Sequence, residues 1–152
     1  MIKAHWAALC ALLSLLYGVP AYAADPVGMV KVAKGQVSIE RDGKKLAAMV
    51  GSPIEVADRV RTGADGSVGV TLRDNTLLSA GPNSLIVIDR FAFDNATQDG
   101  NMSIRIRKGT LSVASGKIAK RTPESVDFHT PTSVLGVRGT EFVVEVEGDR
   151  NE

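Results

Sequence analysis

The chain has 152 residues, 44% hydrophobic and 23% charged, with a formal net charge of +1. That length suits one domain able to bury a core, and the near balance of charge argues against a general nucleic-acid binder, which needs a basic footprint. A single cysteine leaves no partner for an internal disulfide.

Lys3 precedes an apolar run from Trp6 to Tyr17, followed by Gly18, Pro20 and the small-residue pattern Ala21-Tyr22-Ala23. This is the three-part plan of a secretory signal, and its apolar part is short of the ~20 residues a spanning helix needs. The reading is a signal peptide over 1–23 forming the only helix, a linker over 24–27, a domain over 28–147 and a tail over 148–152. Cys10 falls within the apolar run, not after a small residue at its end, so it does not fit a lipidation site. Cleavage removes Cys10, His5, Trp6, Tyr17 and Tyr22, and Lys3 takes the 18 basic residues to 17 against 17 acidic ones. The mature chain then enters an oxidising compartment without disulfides.

Beyond the leader the apolar residues recur at every second position. Met29 to Ala33 and Gln36 to Arg41 read as strands, and Asp42-Gly43 is a hairpin signal returning the chain into Lys44 to Ala47. Gly51-Ser52-Pro53 turns it into Ile54 to Val56, and Val60 to Thr62 is a short strand closed by Gly63. Val68, Val70 and Leu72 share one face of the next strand, Asp74-Asn75 reverses the chain, and Thr76 to Ala80 returns. Gly81-Pro82-Asn83-Ser84 is a further turn. Leu85 to Ile88 is apolar on both faces, which suits an interior strand; Phe91 and Phe93 alternate toward one core.

Asn95 to Asn101 reads as loop. Met102, Ile104 and Ile106 alternate with Ser103, Arg105 and Arg107, Gly109 starts a turn into Leu111 and Val113, and Ser115 to Pro123 is the longest irregular stretch. Val126 and Phe128 lead into Thr130 to Val146. Nowhere after the leader do the apolar residues repeat with a 3.6-residue period. The prediction is an all-β fold of about a dozen short strands, a compact twisted sandwich or a solenoid-like arrangement, from turns ~8 to 12 residues apart. A clean solenoid period is missing.

The stretch from Thr130 to Val146 holds two apolar runs, Val134 to Val137 and Phe142 to Val146, around Arg138, Gly139 and Thr140. Pro131 suits the lip of a strand, where no ladder bond is lost. Gly136 and Gly139 mark bends, positive φ or close backbone approach. Arg138, flanked by valine and glycine, is a candidate buried donor able to tie loop carbonyls or a carboxylate together, the alternative being an exposed hairpin arginine.

This ending, Thr130-Pro131, an apolar run, Val137-Arg138-Gly139-Thr140, one acidic residue and Phe142, resembles the signature of FecR-type periplasmic domains. The block from Gly51 to Asp89, with Asp58, Thr62-Gly63, Asp74 and Gly81-Pro82-Asn83-Ser84, resembles the same family's other half, so the likeness runs from about Gly28 to Val146. It implies that Pro131, Gly136, Arg138, Gly139, Thr140 and Phe142 are architectural. It also implies a role in receiving a signal from an outer-membrane receptor for relay to a sigma factor. Such a relay needs a cytoplasmic segment and a spanning helix, neither of which this sequence shows. The expectation is therefore a freestanding module in the periplasm, its mature part not membrane-spanning, that binds a periplasmic or outer-membrane protein or an envelope polymer.

Catalytic chemistry has little to stand on. His129 is the one histidine after the leader, no serine sits on a nucleophile-elbow pattern, and zinc, copper and haem sites of ordinary composition are not expected. Glu145 and Glu147 share a strand face at roughly the spacing used in glycoside hydrolysis, but without tryptophan or tyrosine as a sugar platform. No cofactor is expected. Arg105 and Arg107 lie on one strand face, where they suit an acidic partner or a plain solvated surface. After Glu147, Gly148-Asp149 resembles a hairpin turn with no return strand. The edge carrying Glu141, Val143 and Glu145 is thus expected to be open, either frayed or able to exchange a strand with a partner. The leading expectation is a non-catalytic binding or signalling module; the alternatives are an envelope glycan-acting enzyme or a structural subunit of an envelope assembly.

Overall fold

A computed structural model describes residues 25–138 and 141–148. The leader and the tail beyond Gly148 lie outside these, as do Gly139 and Thr140. No helix among the described residues is long and apolar enough to cross a membrane.

Among the described residues twelve strands form the fold: β1 (Gly28–Lys34), β2 (Val37–Arg41), β3 (Lys44–Ala47), β4 (Pro53–Ile54), β5 (Arg59–Thr62), β6 (Ser67–Leu72), β7 (Leu77–Ala80), β8 (Leu85–Phe93), β9 (Gly100–Ala114), β10 (Val126–His129), β11 (Val134–Gly136) and β12 (Glu141–Val146). All pairings are antiparallel except β9 with β10. One sheet runs β4-β1-β6-β7-β9-β12 and the other β3-β2-β5-β8-β9-β10-β11. They share β9, whose first part pairs with β8 and β10 and whose last part pairs with β7 and β12.

This continuity corrects the sequence reading. Gly109 does not start a turn; it lies inside a single 15-residue strand, at φ +87. A positive φ there swings the strand out of one sheet and into the other without ending it. Ser84 packs against the swing: its hydroxyl accepts from the Thr110 amide at 3.1 Å, and its own amide donates to Thr62 Oγ1 at 2.9 Å. Thr62 Oγ1 in turn donates to the Gly81 carbonyl at 2.7 Å. The Thr62-Gly63 and Gly81-to-Ser84 motifs thus form one corner over the bend.

The core lies between the sheets because alternate residues of each strand turn the same way. In the first sheet Val30, Val70, Leu78 and Val113 form one inward row, and Ala33, Val68, Ala80, Leu111 and Val144 another. Val60, Ile86 and Ile88 of the second sheet close over them, leaving a void of only ≈ 10 Å³. Phe91 is buried and Phe93 packs against the core half-exposed. Phe128 and Phe142 meet edge to face with centroids 5.0 Å apart, so Phe142 seats β12 on the second sheet's core.

The irregular stretch after Ser115 also differs from expectation. Lys117–Arg121 is a short α-helix, α1, followed by a 3-10 turn at Pro123–Ser125. Five residues are too few for a period to show, and so short a helix does not hold itself. Asp74, fully buried in the β6–β7 turn, holds it. Its backbone carbonyl accepts from Lys117 N at 2.8 Å, and its carboxylate accepts from the Thr76 amide and hydroxyl at 3.0 and 2.8 Å.

In the loop joining β8 and β9, the Asp94 carboxylate accepts from the Ala96 amide at 2.7 Å and the Thr97 amide at 3.1 Å. These bonds, Thr97's first, favour the charged form and hold the Asp94 pKa below the ordinary aspartate value. A lowered folded pKa means that the loop's contribution is present above the unfolded aspartate pKa and lost as pH falls through the folded one. In an acid titration followed by NMR, the Ala96 and Thr97 amide shifts should move together, with a midpoint below that of a model aspartate. Asp94→Asn should abolish the transition.

Candidate functional site

β9 positions a notch that gathers residues singled out in the sequence. β7 and β8 follow one another along one edge of β9, with Ala80 opposite Leu111 and Leu85 opposite Lys108. β10 and β12 therefore share the other edge. β10 pairs as far as Arg105 and β12 begins at Gly109, so between them β9 has no paired strand on that side among the described residues. The gap opens as a notch of ≈ 440 Å³, with Arg107 on β9, the Thr130–Ser133 turn and Leu135 on one flank, and Val144 to Glu147 on the other.

The Thr130–Ser133 turn closes on itself through hydrogen bonds. Thr130 N donates to the Ser133 carbonyl at 2.8 Å, and Ser133 N donates to Thr130 Oγ1 at 3.0 Å. Pro131 stands exposed in this turn, between β10 and β11, as expected of a residue that cannot donate. Hydroxyls, one guanidinium and the Glu145 and Glu147 carboxylates thus border a slot that includes apolar Leu135 and Val146.

The partner-surface residues divide between two places. Arg107 and Glu145 border the notch. Arg105 reaches Asp89 at 3.0 Å and belongs to a half-exposed ion pair, while Glu141 and Val143 stand on the outer face of β12 with Glu145. β12 pairs fully with β9, Glu141 opposite Ala114 through Val146 opposite Gly109. On its other edge no described strand pairs with it. His129 sits 3.6 Å from Asp127, which also pairs with Arg90 at 3.3 Å, so the aspartate is shared with a permanent cation.

Two signature residues behave otherwise than the sequence suggested. Arg138 is exposed, not a buried donor, while its neighbour Val137 is buried. Gly136 has no left-handed φ, and a Cβ there would meet nothing within 4 Å. β11 packs on the core through Leu135, while Gly136 lies on its exposed side, so neither bend nor close approach constrains the glycine. Gly139 and Thr140 lie outside the described residues.

The arginine that ties loops together here is the half-buried Arg41, which sequence reasoning passed over. Its Nε donates to Asp58 Oδ1 at 2.8 Å and its Nη2 to Asp58 Oδ2 at 2.6 Å, a two-point pair on a fully buried carboxylate. Nη2 also donates to the Pro53 carbonyl at 3.0 Å, and Nη1 pairs with Glu55. The hydrogen bond to Asp58 is the chief reason the Arg41 pKa is raised still further, so the charge is permanent. The available signal was Asp58 itself, which stands between Ala57 and Arg59 in the first family-like block.

A model of the family described as FecR protein matches residues 58–152, more than half of the chain. No curated protein and no solved structure matches it. Residues 28–57 precede the match, yet β1 pairs with β6 and β2 with β5, so they are built into the same sandwich.

Proposed function

Since the chain belongs to the FecR protein family, whose members typically act in signalling and regulation, we propose that it is an exported, non-catalytic binding module. In this reading it works in the periplasm, and the notch beside β12 receives an extended segment of a periplasmic or outer-membrane protein. The observation that carries it is the notch itself: a gap in the pairing of β9 with Arg107 on its floor and the one-sided strand β12 on its flank. An extended chain entering there finds backbone groups on β12, a cation for an acidic side chain, and Glu147 for a basic one.

A photoreactive benzoylphenylalanine replacing Ser133 in cells should yield a light-dependent adduct with one envelope protein, and Arg107→Glu should reduce it about tenfold through loss of a charged contact. The same probe replacing Lys45, on the far edge strand β3, should not give that adduct. An adduct equally strong from both positions, or indifferent to Arg107→Glu, removes the proposal. Release of soluble sugar from cell-wall fragments, abolished by Glu145→Gln, would replace it with the glycan-acting enzyme.

A further inference from the structure

The outer face of the first sheet is uncharged across its middle strands. Its residues fall in three rows across β1, β6, β7, β9 and β12, read from the strand register. The first row is Met29, Thr71, Leu77, Ala114 and Glu141; the second is Val32, Gly69, Ser79, Ser112 and Val143. The third runs from Lys34 through Ser67 to Thr110 and Glu145, with Gly81 beside Thr110 at the end of β7. In a chain with 23% charged residues, the positions on β6, β7 and β9 in these rows carry no charge. Charge returns only at the two sides, and with opposite sign. Lys31 and Lys34 stand on β1, where a bulge at Lys31 turns its side chain to this face and its Nζ reaches Met29 Sδ at 3.6 Å. Glu141 and Glu145 stand on β12.

We propose that this face is a dimer interface with a second copy of the chain, stacked sheet on sheet about a two-fold axis parallel to the strands. That axis reverses the order of strands and keeps the order of rows. It lays β1 over β12 of the partner copy, so Lys34 meets Glu145 and Lys31 meets Glu141, twice over. Val32 and Val143, 44% and 65% exposed, then cover each other, and Leu77, 48% exposed and at the centre, meets its own counterpart on the axis. The other face-to-face two-fold, perpendicular to the strands, sets lysine on lysine and glutamate on glutamate. Like charges at both sides exclude it. Stacked sheets sit ~10 Å apart at an angle of about −30°, and the long lysine stems span the offset this creates at the edges. Five strands at ~4.8 Å spacing and ~17 Å length present roughly 400 Å² per copy. That is less than the ~800 Å² per partner of a standard stable interface, so the association is weak and reversible.

Sedimentation velocity on the exported chain, purified from cells expressing the whole sequence, reads this out. Wild type should shift from monomer toward dimer as concentration rises, and added salt should oppose the shift. Lys31→Glu with Lys34→Glu gives an all-acidic rim, and Glu141→Lys with Glu145→Lys an all-basic one. Each variant alone should associate about tenfold more weakly or worse. An equimolar mixture of the two should restore a one-to-one dimer, a result that misfolded variants could not give. Leu77→Arg should abolish association with an unchanged far-ultraviolet dichroism spectrum. A wild type that stays monomeric up to ~1 mM (about 4 kcal/mol of association at most), variants that dimerise like wild type, or a mixture that remains monomeric each overturn the proposal. The readout is independent of the Ser133 adduct, so either proposal can fail alone.

Discussion

Arg41→Met should destabilise the fold by about 3–5 kcal/mol, the cost of leaving a buried carboxylate without its counter-charge. Asp58 is fully covered, and both of its oxygens take hydrogen bonds from Arg41. Methionine fills much of the same volume, so the loss isolates the charge from the packing. The effect spreads beyond one pair, because Asp58 Oδ2 also accepts from the Glu55 amide at 2.8 Å, and the Asp58 carbonyl accepts from Ile88 N at 3.1 Å. The pair therefore ties β2 to the β4–β5 loop and that loop to β8. Arg41→Lys should cost a large part of the same amount, since an ammonium cannot make the two-point contact. Adding Asp58→Asn to Arg41→Met removes the stranded charge while keeping an acceptor for Glu55 N, and should recover about half of the loss. Urea unfolding of the three variants checks this; a shift below ~1 kcal/mol for Arg41→Met would mean that the pair behaves like a surface salt bridge.

How much of this was legible beforehand depends on the range of the interaction. Alternation is local, so the strands, the Asp42-Gly43 hairpin and the inward set of Val68, Val70 and Leu72 could be read directly. The Arg41–Asp58 pair joins residues 17 apart, and nothing in either neighbourhood says that one will cover the other. The short helix α1 shows the same limit, since it is held by Asp74, more than forty residues earlier. Arg138 failed for another reason. Glycine and valine neighbours are compatible with a buried corner and with an exposed hairpin arm, and only the pairing of β11 with β10 alone decides between them. Of the site, Arg107 and Glu145 could be named as surface residues, but their common notch follows from where β10 stops and β12 starts along β9. That is a property of register, which periodicity does not carry.

Gly109 and Gly136 invert the weight that the sequence gave them, and substituting each by alanine should show it. At Gly136 a methyl group meets nothing within 4 Å and the φ is ordinary, so Gly136→Ala should change stability by less than ~0.5 kcal/mol. At Gly109 the backbone sits at φ +87, where an L-residue costs about 1–2 kcal/mol. The new Cβ would also lie 2.1 Å from Ser84 Oγ and 2.5 Å from Ser84 Cα. Ser84 has little room to retreat, being held to Thr62 on one side and Thr110 on the other. Relieving the clash must move the β7–β8 turn or the strand itself, at the further ~1–3 kcal/mol typical of overpacking. A combined loss of about 2–5 kcal/mol is therefore expected for Gly109→Ala. Because the bend carries β9 from one sheet to the other, the damage should not stay local. Hydrogen exchange should show lost protection both at Leu111 and Val113 in the first sheet and at Ile104 and Ile106 in the second. Loss confined to one sheet would mean that the two halves of β9 fold as separate strands.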